Sequence, residues 1–137
     1  MTALEFDRSL LDKPTTIGVA TFDSLRIDEY LAATGEPAAP KDEQGRFAPP
    51  LMGMAFLGEI PWADLGLGGR RFMAGQVYWP IAPIRDGDEI TTTTALRDVY
   101  EKTGRSGHLV FVVWETELTN QRGDLVARCR RSMVVQE

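Results

Sequence analysis

The loop at residues 36–49 holds the side chains of this sequence that best suit acid–base chemistry. It contains three prolines and several charged residues, among them Glu36 and Lys41. A polar loop held by a rigid scaffold often carries an active site, and two titratable groups beside one substrate can remove one proton and deliver another. Glu36 is therefore a candidate general acid. Lys41 is a candidate for proton transfer or for contact with a phosphate group.

The rest of the sequence offers few other reactive side chains. It has one histidine, His108, and one cysteine, Cys129. A single cysteine excludes an intrachain disulfide and a zinc cluster, and a single histidine excludes any site that needs two imidazoles. His108 lies where we predict a strand to begin, and Cys129 lies in the middle of a predicted strand. We predict a structural position for both, and no metal or redox cofactor.

Two helices are predicted to flank the loop. The first has an approximate helical stripe of apolar residues, with Ser24 as its N-cap and Gly35 as its C-terminal stop. After the loop, apolar residues fall on all sides of residues 50–65, a pattern typical of a helix that is buried all round. The glycines of this segment would weaken such a helix unless another part of the chain packs closely against it.

The C-terminal half of the sequence predicts long antiparallel strands joined by turns that contain glycine. These strands are predicted at residues 70–84, 90–102, 108–119 and 125–136. Both alternating faces of residues 109–113 are apolar, as in a central strand that is covered on one side by the helix and on the other by a second subunit. The fold class is therefore α+β, with one long central helix wrapped by a curved antiparallel sheet in a single domain over residues 1–137.

Composition narrows the classes of partner. The chain has 137 residues, 43% hydrophobic and 26% charged, with a formal net charge of −5. An acidic chain without a basic stripe is a poor binder of nucleic acid or of an anionic membrane. No apolar run approaches the ~20 residues that span a bilayer, and the N-terminal residues lack the apolar core of a signal peptide. We expect a cytoplasmic protein.

Several strings, taken in order, resemble the MaoC-like dehydratase/hydratase family of hot-dog domains. They are "YLAATGEP", "APPLMGM", "YWPIAPIRDGDEI" and "LRDVYEKTGRSGHLVFVVWETELTNQRGDLVA". The similarity covers nearly the whole chain and is closest to the N-terminal, non-catalytic-half branch of the family. It implies a single hot-dog domain that works on acyl thioesters of coenzyme A or of an acyl carrier protein.

The resemblance also indicates which residues the loop lacks. Catalytic members of the family carry an Asp and a His, separated by four residues, that add water to a 2-enoyl thioester or remove it from a 3-hydroxyacyl thioester. In this sequence Glu36 and Lys41 stand at those positions. A lysine titrates near ~10.4, far from the range of an imidazole, so the loop has the shape of the family's active site without its acid–base pair. No catalytic residue is predicted apart from the candidate Glu36.

The resemblance therefore implies a non-catalytic subunit of a heteromeric enoyl thioester hydratase or 3-hydroxyacyl thioester dehydratase. A partner hot-dog chain would supply Asp and His, in a dimer or heterotetramer. Substrate-binding residues are expected on the buried helix and in the loop: Leu51, Met52, Ala55, Phe56 and Lys41. Two alternatives stay open, namely a stand-alone hot-dog thioesterase that uses a carboxylate such as Glu36, and a non-enzymatic module that binds acyl thioesters.

Overall fold

The strands predicted in the C-terminal half form one antiparallel sheet in the computed structural model, which describes residues 7–37, 40–61, 68–105 and 107–136. The sheet has five strands in the order β1-β5-β6-β7-β4. Its strands are β1 (Thr15–Phe22), β4 (Arg70–Pro80), β5 (Asp88–Gly104), β6 (Gly107–Thr119) and β7 (Leu125–Gln136). A small hairpin of β2 (Lys41–Asp42) and β3 (Gly45–Arg46) lies apart from this sheet.

Alternation along β6 shows how the sheet divides the chain into two faces. Val110, Val112 and Leu118 are fully buried on the face that carries the core, because successive side chains of a strand point to opposite sides. The intervening Glu115 and Glu117 lie on the other face and pair across to Arg130 and Arg128 of β7. Register shifts interrupt four of the strand pairs, and such bulges bend a sheet.

The helix α1 (Ser24–Thr34) covers part of the core face. Its N-cap is Asp23, whose side chain accepts a hydrogen bond from the Arg26 backbone N–H, so the predicted N-cap Ser24 is instead the first helical residue. The helix ends at Gly35, as predicted, with φ of 70° in the left-handed region that glycine adopts without strain. Ile27 is the buried residue of α1 and packs into a core cluster with Phe22 of β1.

The long central helix predicted over residues 50–65 is wrong in the described residues, where only a short 3-10 helix, Met52–Phe56, is present. Leu57 caps it, and Gly58 follows with φ of 77°, a conformation that cannot continue a right-handed helix. Residues 62–65 of the prediction lie outside the described residues. The core thus lies between the sheet and three helical segments, namely α1 and the 3-10 helices Arg8–Leu10 and Met52–Phe56. No helix in the described ranges is long and apolar enough to cross a membrane.

Candidate functional site

A pocket of about 500 Å³ lies between the loop after α1 and the segment that leaves β4. Its walls are mostly apolar, with Phe47, Ile81, Ile84 and Val126 among them. Six prolines complete much of the lining: Pro37, Pro40, Pro49, Pro50, Pro80 and Pro83. Because a proline ring fixes φ and removes a backbone donor, these walls are rigid and offer few polar groups.

Backbone hydrogen bonds hold the two walls together. The Ala48 N–H donates to the Ile84 carbonyl at 2.7 Å, which joins the loop to the segment after β4. The N–H groups of Ile81 and Ala82 both donate to the Val126 carbonyl, at 2.9 and 3.1 Å. The pocket is therefore built from three stretches of chain that are far apart in sequence and that the sheet brings together.

Glu36 is the single ionisable side chain among the described residues that line the pocket. It follows directly on the left-handed turn at Gly35, which redirects the chain from α1 into the pocket wall. The Tyr30 hydroxyl of α1 donates to Glu36 Oε1 at 3.4 Å. Burial raises the pKa of Tyr30, and the negative charge of Glu36 raises it further. The tyrosine is thus held as a neutral donor to the carboxylate.

Two arginines hold the loop in place. Arg85 pairs with Asp42 at 2.6 Å, and its guanidinium lies 4.5 Å from the centre of the Phe47 ring. Hydrogen bonds from Arg85 are the largest cause that lowers the pKa of Asp42 to about 2. Arg46 pairs with Asp28 of α1 at 2.8 Å. These contacts fix the small β2–β3 hairpin against both α1 and the turn before β5.

Comparison with known proteins assigns the chain to a family. Residues 23–129 match the model of a family described as the FAS1-like, dehydratase domain region, so the match covers more than half of the chain. The chain belongs to this family. No curated protein matches the sequence of this chain.

Solved structures show the fold of the dehydratase-region domain. The MaoC-like dehydratase from Rhodospirillum rubrum is 18% identical, with a TM-score of 0.70 and 91% of each chain covered. The ChsH1-ChsH2 complex from Mycobacterium tuberculosis is 17% identical, with a TM-score of 0.70, over 90% of this chain and 83% of that one. The HadBC complex, a 3R-hydroxyacyl-ACP dehydratase from the same organism, is 16% identical, with a TM-score of 0.68, over 96% and 99%. The MaoC-like family and its hot-dog fold, expected from the resemblance, are confirmed.

Four of the predicted substrate-binding residues lie on the 3-10 helix or directly before it, and none of them is among the described residues that line the pocket. Met52 is fully buried in the core, and Phe56 packs against Phe22 with ring centroids 4.9 Å apart. Leu51 and Ala55 are exposed. The pocket lining stops at Pro49 and Pro50, just before this helix, and the assignment of the four residues to substrate binding stays a prediction.

The other reactive side chains singled out from the sequence lie outside the described lining of the pocket. Lys41 is exposed in β2 and is not among the described lining residues. His108 is the second residue of β6 and pairs with Thr103 of β5, and its Nε2 atom lies 2.8 Å from a carboxylate oxygen of Glu101. The pocket lies near the other end of β6, where Leu118 pairs with Ala127 beside the lining residue Val126. Cys129 is fully buried, and burial raises the pKa of its thiol. Of the sequence candidates, only Glu36 reaches the pocket.

The second wall of the pocket, formed by the segment that leaves β4, was not predicted from the sequence. The prolines at residues 80–83 predicted an irregular strand edge, and the structure uses that irregular segment as a wall. The available signal was the density of prolines in two separate segments, at residues 37–50 and at residues 80–83. Their pairing across the pocket depends on the register of β4 with β7, which the sequence pattern did not specify.

Proposed function

We propose that this chain is the non-catalytic subunit of a heteromeric enoyl thioester hydratase or 3-hydroxyacyl thioester dehydratase. It shapes the acyl tunnel, while a partner hot-dog chain supplies the catalytic Asp and His. One observation carries the proposal: among the described residues, an apolar pocket beside the family's active-site loop has Glu36 as its single ionisable group. Addition or removal of water needs an acid and a base placed together, and this pocket offers one such group.

The positions of the other titratable candidates support the same conclusion. Lys41 stands five residues after Glu36 but is exposed on the small hairpin, outside the described lining of the pocket. His108 lies beside Glu101 at the far end of β6, with its Nε2 atom 2.8 Å from a Glu101 carboxylate oxygen. Neither residue completes an acid–base pair with Glu36, so the proton transfers require side chains from another chain.

The edge strand β4 supports a partner chain of the same fold. It lies at one end of the sheet order, where its outer backbone groups meet no neighbouring strand of this sheet. Phe72, Met73, Val77 and Trp79 of this strand are each 40% or more exposed. A long apolar edge is a template for pairing with another strand. Two of the similar structures, ChsH1-ChsH2 and HadBC, are themselves complexes of two components.

The test is enoyl-CoA hydration, followed by loss of absorbance of the conjugated double bond. This chain is assayed alone and then mixed with a hot-dog protein encoded beside it that carries an Asp and a His separated by four residues. We expect turnover in the mixture, none with this chain alone, and less with the partner alone. Hydration by this chain alone at rates typical of enzymes would overturn the proposal. Saturable acyl-CoA binding without turnover in any mixture would favour a non-enzymatic binding module.

A second candidate function is a stand-alone hot-dog thioesterase, and it is favoured by the contact between Tyr30 and Glu36. A carboxylate that lines an apolar pocket and accepts a hydrogen bond is in a position to act as a general base towards water. Thiol release from a panel of acyl-CoA substrates tests this, with Glu36→Gln as the variant and Glu43→Gln as a control in the same loop. Release that is lost only in Glu36→Gln would establish the thioesterase. Absence of release across the panel would exclude it.

A further inference from the structure

We propose that the pocket selects an uncharged acyl group that carries a hydroxyl away from the thioester, at mid-chain or at the end of the chain, and that Glu36 is the specificity-determining residue that recognises this hydroxyl. The inference rests on the proposed function, because the acyl group is taken to reach the pocket as part of a thioester. It adds to that function a chemical class for the group that occupies the pocket, and it assigns a role to Glu36 that is not proton transfer.

The size and the lining of the pocket set the apolar part of this specificity. A volume of about 500 Å³ lies within the range of roughly 300–1,000 Å³ found for small-molecule sites. The walls are proline rings and aliphatic or aromatic side chains, so they stabilise apolar groups by removing them from water. Such a surface holds the carbon skeleton of an acyl group and provides no general affinity for a polar ligand.

The hydrogen-bonding capacity of Glu36 sets the polar part. An ionised carboxylate only accepts hydrogen bonds, and its two oxygens have about four acceptor positions. Among the described residues, Tyr30 is the one side-chain donor to this carboxylate, at the long distance of 3.4 Å. Acceptor positions therefore remain for a ligand. Within an apolar pocket, a hydroxyl hydrogen that meets such a carboxylate forms a charge-assisted bond, which is stronger than a bond between neutral groups.

The negative charge of Glu36 also disfavours the binding of an anionic ligand. The two arginines that hold the loop are already paired with carboxylates, since Arg46 pairs with Asp28 and Asp86 and Arg85 pairs with Asp42. They do not compensate the charge of Glu36 at the pocket wall. A ligand carboxylate in the pocket would face a like charge among apolar walls, where repulsion is screened less than in water. The pocket therefore discriminates between a hydroxyl and a carboxylate at the same position of the acyl chain.

The experiment measures affinity by calorimetry and does not depend on turnover. The probes are dodecanoyl-CoA, hydroxydodecanoyl-CoA with the hydroxyl at mid-chain or at the end, and the ω-carboxy analogue. For the wild-type chain we expect one hydroxylated probe to bind about tenfold more tightly than dodecanoyl-CoA, and the carboxy analogue about tenfold more weakly, as for hydrogen bonds to a charged group. In Glu36→Leu both differences should disappear, whereas the control Glu43→Gln should keep them.

Several results would overturn the inference. They are equal affinity of the wild type for all probes, a preference that survives in Glu36→Leu, or no binding of any probe with or without the partner chain. Because Glu36→Gln keeps the shape of the side chain, it replaces Glu36→Leu if the latter fails to fold, and it should lose the discrimination against the carboxy analogue. Turnover in the mixture without a hydroxyl preference would reject this inference alone. A hydroxyl preference without turnover would reject the proposed function alone.

Discussion

Gly53 of the 3-10 helix lies directly against the hydroxyl of Tyr78 on β4. A Cβ atom on Gly53 would overlap the Tyr78 hydroxyl oxygen and would lie 3.0 Å from Leu118 Cδ2. This close approach joins the segment after the pocket to the edge of the sheet. The hydroxyl is buried and has no hydrogen-bond partner among the described residues. Burial is the main cause that raises the pKa of Tyr78 to about 12.

The contact predicts that Gly53→Ala destabilises the protein. The new methyl group overfills a packed region, which costs roughly 1–3 kcal/mol in folded cores. We expect the free energy of unfolding to fall by about 2 kcal/mol in urea denaturation. The loss caused by Gly53→Ala should be much smaller in a Tyr78→Phe background, because the overlapping oxygen is gone. Equal losses in the wild-type and the Tyr78→Phe background would mean that Tyr78 is not the residue that excludes the methyl group.

Tyr78→Phe alone is expected to stabilise the protein. Removal of a buried hydroxyl that has no partner relieves a desolvation cost of about 1 kcal/mol or more, and the ring stays in place. Thermal and urea unfolding should both show the gain. Tyr30→Phe is the matched control, since its hydroxyl donates to Glu36 and its removal should give no gain. A clear loss of stability in Tyr78→Phe would contradict the view that the hydroxyl is unsatisfied.

Low pH should reduce the stability of the protein, because protonation of Asp42 removes its ion pair with Arg85. Its folded-state pKa is lowered from 3.8 to about 2, chiefly by hydrogen bonds from Arg85. A lowered pKa means that the pair stabilises the folded state above the ordinary pKa and that this contribution is lost as the pH falls through the folded value. The stability difference between the wild type and Asp42→Asn should therefore shrink below about pH 4 and vanish only below about pH 2. Urea denaturation at several pH values measures it.

Glu43→Gln is the control for the acid experiment, because Glu43 forms no ion pair among the described residues. Its difference from the wild type should stay nearly constant over the same pH range. A carboxyl resonance of Asp42 that titrates in NMR near its ordinary pKa would contradict the assignment of the effect to Arg85.

A positive charge on the edge strand should separate the chain from its partner. Val77 of β4 is 48% exposed, and a lysine on an edge strand opposes pairing with another strand. We expect Val77→Lys to keep its fold by circular dichroism and to bind the partner at least about tenfold more weakly, as for the loss of one apolar contact within an interface. Val19→Lys on the other edge strand, β1, is the control, since Val19 is also exposed.

Sedimentation of the mixed chains distinguishes the two edge variants. Association that is lost in Val77→Lys and kept in Val19→Lys places the partner at β4. Loss in Val19→Lys alone would place the partner at β1, and unchanged association in both would reject edge pairing.

The amino-acid sequence by itself determined the elements whose causes are local. The end of α1 at Gly35 depends on a left-handed turn that glycine adopts without strain. The long strands β5, β6 and β7 follow from alternation of buried and outward-facing residues and from the glycine turns between them. Even the absence of a histidine beside Glu36 was already visible, since His108 is the one histidine of the chain.

Only the tertiary structure decided the features that depend on distant residues. The helix predicted over residues 50–65 ends early because Gly58, packed beside Ile17, turns the chain with a positive φ. The pocket exists because the register of the sheet brings Ile84 to Ala48. Local propensity and periodicity carry no information about such contacts, since each joins residues that are far apart in sequence and meet only in the folded protein.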